Sequence, residues 1–327
     1  MYGQTVYYRE YGEPHEVLTV ERREVAEPGP GEIVAEMACR PINPSDWIPI
    51  RGAYRHRTSL PGIPGYEGVG TVVRVGPDVP PDMLGKRVLP LRGEGTWQQY
   101  VKTSASLAVP VPDFVPDSDA SRLYINPLTA WVVCKMLLGN GRPDRYYLLV
   151  NACSSAIGRI FAQWAAVFGY RLIAVIRKAE HRQELLRLGA WQVVDSSQTD
   201  LREAVLDLTN GRGADAAIDS IGGSDGYRLA QAVRRCGLFL SIGLLSGIQV
   251  DWQRIGTKLG VEGKLFHLRH WVASASDDAW QSAFTQLFAL YRQKQLDLGK
   301  PAASFTLSEA AQAVRAAEQS GGKVLLI

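Results

Sequence analysis

Residues 147–168 read Tyr147-Leu-Leu-Val-Asn-Ala-Cys-Ser-Ser-Ala-Ile-Gly-Arg-Ile-Phe-Ala-Gln-Trp-Ala-Ala-Val-Phe168, and this stretch decides the fold. Its opening run, Tyr147–Ala152, is apolar and short, as in a strand buried on both faces. Small residues follow, and then Ile157, Ile160, Phe161 and Trp164 recur at helical spacing. Strand, tight turn and amphipathic helix in that order begin a βαβ unit. The grammar repeats downstream. Leu172–Ile176, Val193–Asp195, Ala214–Ile221, Leu238–Leu244 and Val261–Leu268 read as strands, with helical stretches such as Ile157–Phe168 and Glu180–Leu188 between them. The expected fold is α/β, a doubly wound parallel sheet covered on both faces.

Outward from this segment the pattern changes on both sides. Towards the N-terminus, Thr5–Tyr8, Leu18–Glu24, Glu32–Cys39, Gly68–Val75 and Arg87–Leu89 are short strands punctuated by turns such as Pro28-Gly-Pro-Gly31. Towards the C-terminus, Asp277–Lys294 reads as a helix. Thr306-Leu-Ser-Glu309 resembles a capping box before a helix at Ala310–Glu318, and Lys323–Ile327 is a final strand. The expected organisation is a β-rich domain over residues 1–118, an inserted Rossmann-type nucleotide domain over 119–266, and a return to the first domain over 267–327.

Bulk properties narrow the class. The chain has 327 residues, enough for two domains each with its own core. A net charge of +3 with 21% charged residues lacks the dense basic stripe of a nucleic-acid binder. Cys39, Cys134, Cys153 and Cys236 are scattered and form no C-x-x-C pair, which fits a reducing compartment better than a disulfide framework. The N-terminal residues are polar, and no apolar run approaches eighteen residues. The expectation is a cytoplasmic protein without membrane or nucleic-acid partners.

The turn after the first strand of the inserted segment is the candidate phosphate site. A helix N-terminus presents backbone N–H groups and partial positive charge to a pyrophosphate. Of the glycines of a G-x-G-x-x-G turn only Gly158 remains, but Ser154, Ser155 and Ala156 are small and Ile157 opens the helix. The next strand ends at Ile176, followed by Arg177 and Lys178. Chains that bind NADH place an acidic residue here for the ribose hydroxyls, whereas two cations suit a 2′-phosphate. The expected cofactor is therefore NADPH. Gly222, Gly223 and Gly243 each lie just past an apolar strand, where a nicotinamide can approach, although a plain β-to-α turn accounts for the first two nearly as well.

The order of segments resembles the medium-chain dehydrogenase/reductase superfamily, whose smaller domain is GroES-like. Its zinc alcohol dehydrogenases carry a Cys ligand before a Ser/Thr-Asp pair and a His ligand in a G-H-E motif. Here the matching stretches are Asn43-Pro-Ser-Asp46 and Gly65-Tyr-Glu67. Asn43 and Tyr66 do not supply the thiolate and imidazole that catalytic zinc requires, and the four-cysteine cluster of structural zinc is missing. No metal is expected. His267 and His270, three apart on an expected strand, would point to opposite faces.

Within that superfamily the chain is most similar to the zinc-free 2-enoyl thioester reductases of mitochondrial type, nearly end to end. Pro41-Ile-Asn-Pro-Ser-Asp46, Ile50-Arg-Gly-Ala-Tyr54, Gly95-Thr-Trp97 and Asn126-Pro-Leu-Thr-Ala130 look like the family's P-I-N-P-S-D, I-Q-G-x-Y, G-T-W and N-P-x-T-A. Asn151, Ala152 and Ser155 match its phosphate loop. Arg177 matches its 2′-phosphate arginine, Gly243 the first Gly of Y-G-G-M, and Lys323 a cofactor-contacting lysine. Departures are Ala156 for a loop Gly, Leu244 for the second Gly, and Phe266 where the family has Trp.

The resemblance implies a reaction. Hydride from NADPH goes to the β-carbon of an α,β-unsaturated acyl thioester, and a donor, Tyr54, protonates the α-carbon. Asn126 and Thr129 would seat the nicotinamide and substrate, their plainer role being to cap the helix they open. Ile242, Phe266 and Leu268 would line the cofactor site. Asn43, Arg55 and Arg57 are weaker candidates for the substrate or its carrier, the two arginines through phosphates. Two other readings remain: a zinc-free quinone or enal reductase of the same superfamily, and a non-catalytic NADPH-binding protein. A homodimer is expected, with Leu238–Leu245 as a candidate edge strand.

Overall fold

The computed structural model describes residues 1–53, 55–56, 58–139, 145–319 and 322–327. It divides into two compact units. The first comprises Met1–Ile125, Asp277–Arg292 and Leu298–Ile327, and the second Asn126–Ser276 and Gln293–Asp297. The sequence placed the crossings at 118/119 and 266/267. Residues 119–125 stay with the first unit because Glu67 Oε2 accepts the backbone N–H groups of Tyr124 and Ile125, at 3.0 and 2.8 Å. The Tyr124 ring also meets Trp280 edge-on at 6.0 Å.

In the first unit, β1 (Tyr2–Tyr8) and β2 (Leu18–Glu24) form an antiparallel pair. The main sheet has the order β14-β15-β3-β4-β5-β7, with β6 also paired to β3. Its strands are β3 (Glu32–Pro41), β4 (Val69–Val75), β5 (Arg87–Pro90), β6 (Tyr100–Ser104), β7 (Ala108–Pro110), β14 (Ala303–Phe305) and β15 (Val324–Leu326). Thr306 and Glu309 form the expected capping box, in which Glu309 Oε2 accepts the Thr306 N–H at 2.8 Å. The helix Asp277–Arg292 buries Trp280, Ala283, Phe284, Leu287 and Phe288, a stripe at helical spacing.

The second unit is a six-stranded parallel sheet in the order β10-β9-β8-β11-β12-β13. The strands are β8 (Tyr147–Val150), β9 (Arg171–Ile176), β10 (Gln192–Asp195), β11 (Ala214–Asp219), β12 (Val233–Ser241) and β13 (Glu262–Leu265). The strand order reverses between β8 and β11, and in such sheets the ligand crevice lies at the carboxyl ends flanking that point. Leu149, Ile173, Val175, Ala217 and Phe239 are buried together, as continuous apolar strands require.

Three expectations are corrected here. Residues 238–241 belong to β12, which pairs with β11 on one side and β13 on the other, so the run Leu238–Leu245 forms no sheet edge. The sheet's edges are β10 and β13, and all four residues of β13 are exposed. His267 and His270 lie on no strand. The Phe266 N–H makes its bond to Ser241 O at 2.8 Å, where β12 ends. With no further strand to pair with, the chain coils into the helix Leu268–Ser274, and the two imidazoles meet at 5.4 Å. Finally, neither Asn126 nor Thr129 holds the N-cap position of the helix Thr129–Leu138. A π-helical turn, Tyr124–Leu128, runs directly into the helix Thr129–Leu138, whose N-cap position is Leu128 and has no side-chain cap bond. Among the described residues no helix is long and apolar enough to cross a membrane.

Candidate active site

The second unit assembles its candidate residues at the carboxyl ends of β8, β9 and β12. β8 stops at Val150, and Asn151 ties its end to the neighbouring strand. Asn151 Nδ2 donates to Asp219 Oδ1 at 2.6 Å, and Asn151 Oδ1 accepts the Ser220 N–H at 2.8 Å. Asp219 also accepts the N–H groups of Ile221 and Gly222, at 3.0–3.1 Å. Burial raises its pKa, and the donors around it oppose that rise. Asp219 thus organises the turn after β11. Gly222, at φ 80°, serves this turn, because a Cβ there would lie 2.4 Å from Ile248 O. The sequence assigned Asp219 no role; a carboxylate at a strand end, followed by two glycines, was the available signal.

The helix Ala156–Phe168 starts at Ser155, whose Oγ accepts the Gly158 N–H at 3.3 Å. A Cβ at Gly158 would fall 2.5 Å from Cys153 Cα and O, so only glycine lets this helix approach the turn so closely. The first-turn N–H groups of Ala156 and Ile157 occupy positions without intrahelical acceptors. Arg177 and Lys178 are exposed immediately after β9, with Glu180 3.9 Å from the Lys178 ammonium. Ile242 and Gly243 follow β12. The Ile242 N–H bonds Asp219 O at 2.8 Å, and a Cβ at Gly243 would meet Ser220 O at 2.8 Å. Phe266 and Leu268 follow the edge strand β13, beside that same end of the sheet.

The first unit holds a second cluster, buried and charged. Asn43 is 1% exposed, and both ends of its carboxamide are used. Its Nδ2 donates to Glu67 Oε1 at 2.8 Å, and its Oδ1 accepts the Lys323 ammonium at 2.6 Å. Lys323 donates further to Ile42 O at 3.3 Å. Asp46 Oδ2 accepts the Asn43 N–H at 2.7 Å. Burial pushes the Asp46 carboxyl up to about 7 and raises Glu67, while it lowers the Lys323 ammonium against the pull of the two carboxylates. Glu67 and Asp46 were visible in the sequence motifs, but nothing in their spacing announced that they share one buried cluster with Lys323.

Tyr54 and Arg57 lie outside the described residues. Arg55 stacks over the Tyr11 ring at 4.9 Å. Arg51 is held between Glu13 and Glu318, at 2.7 and 2.6 Å. Among the described residues no group of three or more His, Cys, Asp or Glu side chains is placed to hold a metal ion.

Two family profiles match the chain: the alcohol dehydrogenase GroES-like domain over residues 29–113 and the zinc-binding dehydrogenase domain over 156–282. The mitochondrial enoyl-[acyl-carrier-protein] reductase of Bos taurus is 30% identical over 301 residues, covering 88% of this chain and 79% of that protein. A solved structure described as a "putative NADPH:quinone reductase" from Bacillus thuringiensis is 51% identical, with a TM-score of 0.96 over 100% of this chain and 99% of the other. The Escherichia coli quinone oxidoreductase complexed with NADPH is 26% identical, with a TM-score of 0.90 over 99% of both chains. A GroES-like unit, a parallel sheet in the 3-2-1-4-5-6 order and these relatives place the chain in the medium-chain dehydrogenase/reductase superfamily, in the branch of the enoyl reductases and quinone oxidoreductases.

Proposed function

We propose that this chain reduces the C=C bond of a conjugated carbonyl compound with NADPH, and that a 2-enoyl thioester is its acceptor. Kinship with enoyl reductases and quinone oxidoreductases makes it an NADPH-dependent oxidoreductase. The second unit fits that cofactor. The helix N-terminus at Ala156–Gly158 suits a pyrophosphate, and Arg177 with Lys178 suits the 2′-phosphate. NADPH, when bound, supplies the hydride.

The observation that carries the choice of a conjugated carbonyl acceptor is the Lys323–Asn43–Glu67 chain of hydrogen bonds; the thioester within that class rests on the kinship with enoyl reductases. Asn43 stands where the zinc relatives have a Cys ligand, and its carboxamide oxygen is taken by an ammonium. A carboxamide whose oxygen is already taken by an ammonium is unsuited to Zn²⁺. The charge that develops on hydride transfer then has to be absorbed by the acceptor itself. A carbonyl conjugated to the alkene does this, as the oxygen of the enolate. Tyr54 protonates the α-carbon; a phenol, with a reference pKa of about 10, carries a proton to give at neutral pH.

A quinone is the second reading, favoured by the 51% identical relative. Two copies pairing along the exposed edge β13 are proposed as the assembly. The test of the activity is NADPH oxidation with crotonyl-coenzyme A, trans-2-decenoyl-coenzyme A and a benzoquinone side by side. Turnover favouring either thioester supports the first reading. Turnover with quinone alone moves the assignment to the second, and none with any of them leaves a non-catalytic NADPH-binding protein.

A further inference from the structure

From the end of β1 at Tyr8 to Glu13, the chain runs alongside the segment 50–62 and meets it repeatedly. Tyr8 and Gly62 exchange both backbone bonds, the Tyr8 N–H with Gly62 O at 3.0 Å and the Gly62 N–H with Tyr8 O at 2.9 Å. A Cβ at Gly62 would fall 2.4 Å from the Tyr8 ring. The Tyr11 phenol bonds Thr58, 3.1 Å from its carbonyl oxygen and 2.8 Å from its hydroxyl. The Arg55 guanidinium lies over the same ring, 4.9 Å from its centre. The Gly12 N–H donates to Ile50 O at 3.0 Å. The Glu13 carboxylate accepts three bonds from the Arg51 guanidinium, at 2.7–3.2 Å. Arg51 Nη1 also reaches Glu318, on the helix Ala310–Gln319, at 2.6 Å.

An exposed ion pair by itself contributes about 0–1 kcal/mol and is ordinary on a surface. This strap differs in where its contacts fall. Ile50 and Arg51 are held before position 54 of the chain, and Arg55 and Thr58 after it. Consecutive Cα atoms are about 3.8 Å apart, so anchors on both sides of a position limit where the chain can carry the residue there. The strap is itself fixed, since the N–H groups of Glu16 and Val17 bond Glu13 O at 2.8 and 3.1 Å. Glu13 occupies the N-cap position of the short helix Pro14–Val17 yet makes no side-chain cap bond; its carboxylate goes to Arg51. All of these residues belong to the first unit. Placement of a reacting group matters steeply, a shift of about 1 Å costing up to about a hundredfold in rate.

We propose that Tyr11 and Glu13 are positioning residues for the proton donor. Through Ile50, Arg51, Arg55 and Thr58 the strap Tyr8–Glu13 holds the loop on both sides of Tyr54, and so sets where its phenol is delivered. The proposal rests on the reading of Tyr54 as the donor. Tyr11 and Glu13 act at one remove, so their effect on the reaction passes through protonation of the α-carbon and disappears when Tyr54 has no proton to give.

The test has a structural arm and a kinetic arm, both on the full chain. Amide hydrogen exchange of peptides spanning 51–58 is compared in wild type, Tyr11→Ala and Glu13→Ala. Exchange there is expected to quicken by at least about threefold in both variants, with the rest of the first unit within about twofold of wild type. With crotonyl-coenzyme A, Tyr11→Ala is expected to lower kcat by about three- to tenfold, and Glu13→Ala by less, with NADPH affinity retained. Placed in a Tyr54→Phe background, either substitution should change kcat by less than about twofold. A merely structural role would instead lower kcat equally in both backgrounds. Should Tyr11→Ala fail to fold, Glu13→Ala, which removes an exposed carboxylate, carries both arms. Unchanged exchange over 51–58, or equal losses of kcat with and without Tyr54, overturns the proposal. Failure of the donor reading shows differently, as Tyr54→Phe equal to wild type or as wild type inert towards crotonyl-coenzyme A; the positioning role then falls with it, while the exchange arm still reports whether the strap holds the loop.

Discussion

The Lys323 ammonium lies 2.6 Å from the carboxamide oxygen of Asn43, and this bond fixes which way the amide faces. With the oxygen on Lys323, the Nδ2 of Asn43 points at Glu67, 2.8 Å away. One neutral side chain therefore spaces a buried carboxylate from a cation. Asn43→Leu, close in volume, removes both bonds and leaves two charged groups without that link. Hydrogen bonds to charged groups contribute about 1.5–3 kcal/mol each. The expected loss is about 3 kcal/mol, read from urea unfolding at pH 7. A loss below about 1 kcal/mol shows that the two charges find other partners.

Tyr54→Phe removes the proposed proton donor and keeps the ring. General acid assistance is worth roughly 100- to 10,000-fold, but water can replace part of it. The expected outcome is a fall in kcat of at least about tenfold on crotonyl-coenzyme A, with NADPH affinity retained. Unchanged kinetics would take Tyr54 out of the mechanism and leave protonation to solvent.

Arg177→Ala tests cofactor choice. Arg177 is exposed at the end of β9, and a guanidinium on a phosphate makes charge-assisted bonds that NADH cannot use. At about 1.5–3 kcal/mol, kcat/KM for NADPH falls roughly ten- to a hundredfold, while the value for NADH stays within about threefold. Equal losses for both cofactors mean that Arg177 supports the loop and does not read the phosphate.

The parallel sheet was legible because its strands are buried on both faces. A short, continuous apolar run such as Leu172–Ile176, bounded by polar residues, suits a central parallel strand. The end of the last strand was not legible. Leu268–Ser274 carries Trp and Val, which suit a strand, and what halts β13 is the end of its partner β12 at Ser241, a tertiary fact. The strand-to-helix turn before Ala156–Phe168 was readable from one glycine, since Gly158 has no room for a Cβ. The buried cluster was only half readable. Asn43, Glu67 and Lys323 lie far apart in sequence and are brought together by β15 pairing with β3, at Leu325 with Pro41 and Leu326 with Arg40. That pairing carries Lys323 to Asn43, and no local pattern records it.

The same cluster sets a pH dependence. Burial raises the Asp46 carboxyl from its ordinary value near 3.8 to about 7. The folded protein therefore holds a proton that the unfolded chain releases between those values. Stability from this group is fully present below about pH 4 and is lost as pH rises through about 7, the opposite of a salt-bridged carboxylate. Over that range the loss is on the order of a few kcal/mol. Asp46→Asn keeps an acceptor for the Asn43 N–H and cannot titrate. Urea midpoints should therefore fall further between pH 5 and pH 8 for wild type than for Asp46→Asn, every other titrating group being common to both. Parallel pH slopes for the two proteins would mean that Asp46 is ionised throughout, held charged by Lys323.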